Sequence, residues 1–320
     1  MEKALIHNKL SVKDSYLRRL RNDIIANKYL YILALPVIAY FIIFHYLPMY
    51  GIIIAFKEYS PRKGILGSPW TDNYGFANFI KFCTGPYFWR VLKNTFLISF
   101  YDILFGFPAP IIFAILMNEI QSKLFKKTVQ TITYMPHFIS ITVVCSLIVS
   151  FTGRDGLIND IIAFFGGTRN NLLSAPEYFR TIYVASGIWQ NIGWNSIIYL
   201  AALSMIDQEQ YESAIIDGAG KLQQIIHITI PGIAPTIIIM LILRMGSILS
   251  VGYEKIILLY NPNTYSTSDV ISTFIYRNSF AGQQQFSYSA AVGLLNSVVN
   301  TLFIIATNAI SRRVSETSLW

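Results

Sequence analysis

The sequence predicts an all-α, polytopic membrane protein with six transmembrane helices and both termini on the inner side. Three observations carry that prediction. The 320-residue chain is 53% hydrophobic and only 13% charged, whereas a soluble globular domain is about 25% charged. Six segments, 29–55, 94–117, 129–152, 181–203, 232–252 and 288–310, are apolar over the roughly 20 residues that a bilayer crossing needs. The dense basic clusters "YLRRLRND", "KLFKK" and "SRR" all fall on connections that share one side if the first span starts inside.

The elements follow in order. Residues 1–28 form a basic tail holding seven of the 25 Lys and Arg, which suits an anionic inner leaflet. The apolar run that starts near Lys28 is too long for a signal-peptide core and has no small-residue cleavage site after it, so it is read as a retained first span. Pro36, Pro48, Pro108, Pro110 and Pro136 lie inside spans, where neighbouring helices can satisfy the freed carbonyls. Residues 29–310 then make one membrane domain with an inner loop at 204–231, followed by an inner tail at 311–320. No internal repeat or low-complexity linker divides it.

Composition also excludes some functions. The net charge of +8 is not gathered into a basic patch between aromatics, which disfavours nucleic acid. Cys145 falls in a span and Cys83 outside one, against a disulfide. The histidines show no metal-ligand spacing, so no metal site is expected. No catalytic acid–base cluster is apparent, and there is no Gly-x4-Gly-Lys-Ser/Thr loop for ATP.

The inner loop is the most structured connection. Asp207 with Gln210 fits a capping box opening a helix over 208–217. Gly218 and Gly220 should break it. A second helix over 221–229 should run to Pro231, which can open the next span because its missing N–H costs nothing there. Ser213, Ala214 and Gly218 are small enough for another protein to approach the backbone. This is either an ordinary amphipathic loop or a docking elbow.

Its spacing decides between them. Glu212-Ser213-Ala214, three residues, Gly218, nine residues and Ile228-x-Ile230-Pro231 resembles the loop signature of binding-protein-dependent ABC importer permeases. Ser213 in place of Ala and Ile230 in place of Leu are its two departures. The stretches "FHYLPMYGIIIAFKEY", "GFPAPIIFAILMNE", "GWNSIIYLAAL" and "SRRVSETSLW" extend the resemblance over nearly the whole chain. They resemble the maltose-importer type, in the branch serving complex or polysaccharide-derived oligosaccharides. The resemblance implies a type I importer permease fold, and it implies that Tyr211, Glu212, Ser213, Ala214, Asp217, Gly218, Ala219 and Pro231 couple to a cytoplasmic ATPase. It further implies a second homologous permease, two ATP-binding subunits that hold ATP and Mg, and an extracellular lipoprotein that delivers the oligosaccharide. This chain itself would need no cofactor.

A sugar path needs polar and aromatic groups turned into the bundle. Gln190, Asn191, Trp194 and Asn195, with Trp189 beside them, form one stripe on the fourth span. Ser289, Gly293, Asn296 and Asn300 form another on the sixth. Either stripe could instead be helix-packing glue, with Gly193 and Gly293 allowing close approach. Arg244 and Asp102 are the charges deep in spans, at similar depth. They either pair with each other or leave Arg244 to meet a substrate hydroxyl or uronate carboxylate. An ion-driven secondary sugar transporter would usually show paired repeats and more intramembrane carboxylates than Asp102 alone. A membrane-embedded enzyme would need the acid–base cluster that the sequence lacks.

Overall fold

The computed structural model describes residue 18, residues 21–282, residues 284–314 and residue 318. Much of the 1–28 and 311–320 tails, with the expectations placed on them, therefore lies outside the described residues. The main helices are α1 (Lys28–Phe56), α2 (Phe88–Glu119), α3 (Lys123–Tyr134), α4 (Ile141–Thr152), α5 (Leu157–Phe164), α6 (Pro176–Leu203), α7 (Gln208–Ile216), α8 (Lys221–Met245), α9 (Tyr253–Leu259), α10 (Ile271–Ser279) and α11 (Phe286–Val314). Among the described residues the only extended pairing is one antiparallel bridge between Lys57 and Trp70.

Five stretches are long and apolar enough to cross a membrane: α1, α2, Ile141–Phe164, α8 and Phe286–Arg313. The 28-residue α6 has the length, but its amide stripe makes it more polar. The crossing expected at 129–152 is corrected. Pro136 does break the chain there, because it removes a donor and the backbone turns through a tight Met135–Phe138 helix into extended Ile139. Ser140 then caps a new helix, its hydroxyl accepting from Val143 N–H at 3.4 Å. The stretch Ile141–Phe164 accordingly consists of α4 and α5, separated by a turn over Gly153–Gly156.

Three long helices contain a turn closed by i→i−5 bonds, and each ends two residues before a proline. These turns are Ile42–Tyr46 before Pro48, Asp102–Gly106 before Pro108 and Ile225–Thr229 before Pro231. The residue preceding each proline donates five back: Leu47 to Ile42, Phe107 to Asp102, Ile230 to Ile225. The proline itself has no N–H for the next bond, so the widened turn strands no donor. Pro231 thus does not open a span, as the sequence suggested, but lies within one unbroken helix that starts at Lys221.

Three apolar clusters hold the bundle. One joins Ile98, Val144, Phe179, Ile256 and Val270; a second joins Phe82, Val91, Phe274 and Val292. The third joins Ala114, Tyr199, Leu203 and Ile233 near the elbow end. At the opposite end Asp269, fully buried, binds Arg90 at 2.8 Å and Arg277 at 2.8 Å. α3 meets α6 so closely that a Cβ on Gly193 would lie 2.4 Å from the Thr133 carbonyl oxygen. Gly293 permits no such approach, its nearest neighbour being Ile275 at 3.9 Å. From Lys28 to Met49, α1 buries no side chain against the rest of the chain.

Candidate functional site

Two features sit at either end of α8: an elbow and a cavity. In the elbow, the Asp207 carboxylate caps α7 by accepting from Glu209 N–H at 3.1 Å, so the cap closes on the second residue of the helix. α7 ends in a Schellman motif, with Gly218 N–H donating to Ile215 O at 3.0 Å and Ala219 N–H to Ala214 O at 2.8 Å. Gly218 occupies the left-handed position with φ +79, where a side chain is strained even though no atom lies within 4 Å of its Cβ direction. Gly220 N–H then donates to Gln223 Oε1 at 2.8 Å and starts α8.

Polar bonds fix the angle between the two arms. Tyr211 Oη lies 3.0 Å from Thr229 Oγ1, and Gln224 Nε2 donates to Ala219 O at 3.0 Å. Lys221 pairs with Glu119 Oε2 at 2.9 Å, because the end of α2 lies beside the start of α8. Glu212 and Ser213 are exposed, as are Asp217 and Gly218. Ile215, Ile216, Leu222 and Met205 also stand exposed at or beside the elbow.

The cavity, about 880 Å³, is lined by α2, α6, α8 and the Ser250–Lys255 segment. Tyr183, Gly187, Asn191, Asn195 and Ile198 face it at three- and four-residue spacing, one side of α6, with Gln190 and Trp194 beside them. The Pro136 break places His137 flat against Trp194, with centroids 4.5 Å apart and planes 4° apart. Phe138 meets the same indole edge-on at 5.3 Å, and His137 Nδ1 lies 3.0 Å from Asn191 Oδ1. Arg244 also lines the cavity and is ion-paired with Asp102.

Other expected path residues fall elsewhere. Trp189, Asn296 and Asn300 do not line the cavity. Asn300 instead accepts from Leu249 N–H at 2.9 Å and donates to Ser250 Oγ at 2.9 Å, pinning the segment that does. Lys255 is the cavity residue that sequence reasoning passed over, having placed it in a connection. It is 8% exposed. Its Nζ donates to Tyr183 O at 3.0 Å and sits 4.8 Å above the Tyr183 ring. Burial pushes its ammonium down to about 8. The one sequence signal was a lysine opening the apolar run "KIILL".

α8 connects the two features. Lys221 ties its elbow end to Glu119 and Arg244 ties its cavity end to Asp102, both partners belonging to α2. A single helix therefore joins the elbow to the cavity.

Comparison with known proteins places this geometry. Residues 106–316 match the family model described as binding-protein-dependent transport system inner membrane component. Protein LplB of Bacillus subtilis (strain 168) is 43% identical over 307 residues, 96% of this chain and 94% of that protein. The polygalacturonan/rhamnogalacturonan transport system permease protein YteP of the same organism is 42% identical, over 95% of this chain and 94% of its own. A solved bacterial ABC transporter involved in importing the acidic polysaccharide alginate is 44% identical with a TM-score of 0.84, covering 92% of this chain and 99% of that one. A bacterial alginate ABC transporter solved with a periplasmic protein bound to alginate pentasaccharide gives 43% identity and a TM-score of 0.85, over 94% of this chain and 100% of that one.

Proposed function

This chain belongs to the family of binding-protein-dependent transport system inner membrane components, and from that premise we infer what each end of α8 does. The protein is the multi-pass cell-membrane permease subunit of an ABC importer for sugars or oligosaccharides. It works with a second permease, ATPase subunits and a substrate-binding protein. The elbow, from Tyr211 to Ala219, docks on the ATPase. ATP and Mg stay with that partner, since this chain carries no P-loop. Trp194, Asn191, Asn195 and Gln190 contact the oligosaccharide as it passes.

The observation that carries this reading is the continuity of α8 between an exposed elbow and the cavity. ATPase closure would move the elbow, and α8 would move Arg244 against Asp102. The ion-driven alternative gains nothing from the structure, because Asp102, its candidate proton carrier, is engaged by Arg244. The test is uptake in vesicles holding the full complex and a loaded binding protein. Uptake should need internal ATP and persist with an uncoupler; uptake that collapses with the uncoupler while ATP is present would reject the reading.

A further inference from the structure

We propose that Lys255 is a carboxylate seat in the cavity and that it selects acidic, uronate-containing oligosaccharides. The proposal rests on the permease reading above and extends it from oligosaccharides in general to a charged class. Lys255 lines the cavity while only 8% exposed. Among the described residues no carboxylate lies within ion-pair distance of its ammonium. Its protein partners are one backbone oxygen, Tyr183 O at 3.0 Å, and the Tyr183 ring face. An ammonium has three donors, so this arrangement leaves hydrogen-bonding capacity to spare. Asp102 acts on this ammonium only from beyond ion-pair distance and is itself paired with Arg244, so an anion brought by the substrate would relieve the cost of burying the cation through charge-assisted hydrogen bonds.

The nearby charges sharpen the point. Arg244 and Asp102, the other cavity ions, already neutralise each other. Arg244, though 41% exposed, is held by Asp102, which leaves Lys255 as the cavity cation with no ion-pair partner among the described residues. Its ammonium lies over Gly187, where a Cβ would come within 3.5 Å of Nζ. Gly187 therefore leaves the approach to the ammonium open. Asn191 follows one turn along α6 and Trp194 about two turns along. Cation, amide and aromatic face thus succeed one another on one wall, matching a chain of sugar rings whose carboxylates alternate with apolar ring faces. The relatives named above for polygalacturonan/rhamnogalacturonan and alginate are described as handling such acidic chains.

The test uses the complete importer in proteoliposomes with its binding protein. The probes are tetragalacturonate and its carboxyl-reduced, neutral counterpart, with uptake normalised to measured loading of the binding protein. The unaltered importer should take up the acid at least several-fold faster. Lys255→Gln should lower acid uptake about tenfold and leave neutral uptake within twofold, while Lys255→Arg should restore much of the acid uptake. Equal losses on both probes in Lys255→Gln would make Lys255 a structural residue and overturn the proposal. An unaltered importer that moves only the neutral probe would overturn it while leaving the permease reading intact. Failure of the loaded, unaltered importer with both probes would overturn the acidic-substrate proposal and leave the permease reading to the ATP and uncoupler test above.

Discussion

At the scale of single residues, the cavity wall is set by contacts that no periodic pattern announces. Trp194 already has one face covered by His137, so substrate would meet its edge or remaining face. Trp194→Ala should reduce oligosaccharide uptake several-fold, since an aromatic contact contributes on the order of 1 kcal/mol, while ATPase co-purification stays unchanged. Undiminished uptake would reduce Trp194 to a packing role. Arg244 and Asp102 call for a paired experiment. Their side chains are 41% and 27% exposed, so removing one should cost about 1–2 kcal/mol, less than the ~3–5 of a fully buried pair. Thermal unfolding of the complex should show Arg244→Gln destabilised and Asp102→Asn/Arg244→Gln partly restored; equal melting of all forms would refute the pair. The stripe on α6 was visible in the sequence because amides in an apolar span stand out. His137 was not connected to Trp194, because contact between residues so far apart in sequence depends on the turn at Pro136. Lys255 was missed because a lysine near the end of a span ordinarily reaches water.

At the scale of elements, the elbow was the most legible part. Its glycine break and acidic cap are local chemistry, and local chemistry can be read from spacing. Its second arm was misjudged because the widened turn at Ile225–Thr229 lets α8 pass through Pro231. Gly218→Val should weaken coupling, because its φ of +79 costs a side chain about 1–2 kcal/mol. Gly218→Asn should be milder, as Asn tolerates the left-handed region. Glu212→Ala should keep the protein in the membrane yet lower ATPase association, or lower hydrolysis stimulated by the loaded binding protein. Full coupling in both Gly218→Val and Glu212→Ala would leave the elbow as a mere connection.

At the scale of the molecule, α1 leaves the bundle with an uncovered apolar surface from Lys28 to Met49, and the proposed function has the chain rely on partners for both docking and energy. The purified chain alone should bind no ATP and move no sugar; transport by the chain alone in liposomes would contradict the assignment. Most of the spans were legible as apolar length, but α6 is not among the stretches apolar enough to cross by that measure, and the third crossing was displaced because hydropathy does not register where a proline ends a helix. Each widened turn can also be viewed as a dislocation in a one-dimensional lattice, one surplus residue held in place by the proline after it. In α8 that dislocation lies between the two ties to α2, Lys221–Glu119 and Arg244–Asp102. Because the widened turn already absorbs the surplus residue, deleting one residue from Ile225–Thr229 would restore ordinary i→i−4 bonding and leave the helix beyond it near its present phase. Removing a residue elsewhere between the ties, where no widened turn takes up the change, would rotate everything beyond it by about 100° and break one tie or the other. The widened turn is the place between elbow and cavity where α8 can lose a residue and keep both.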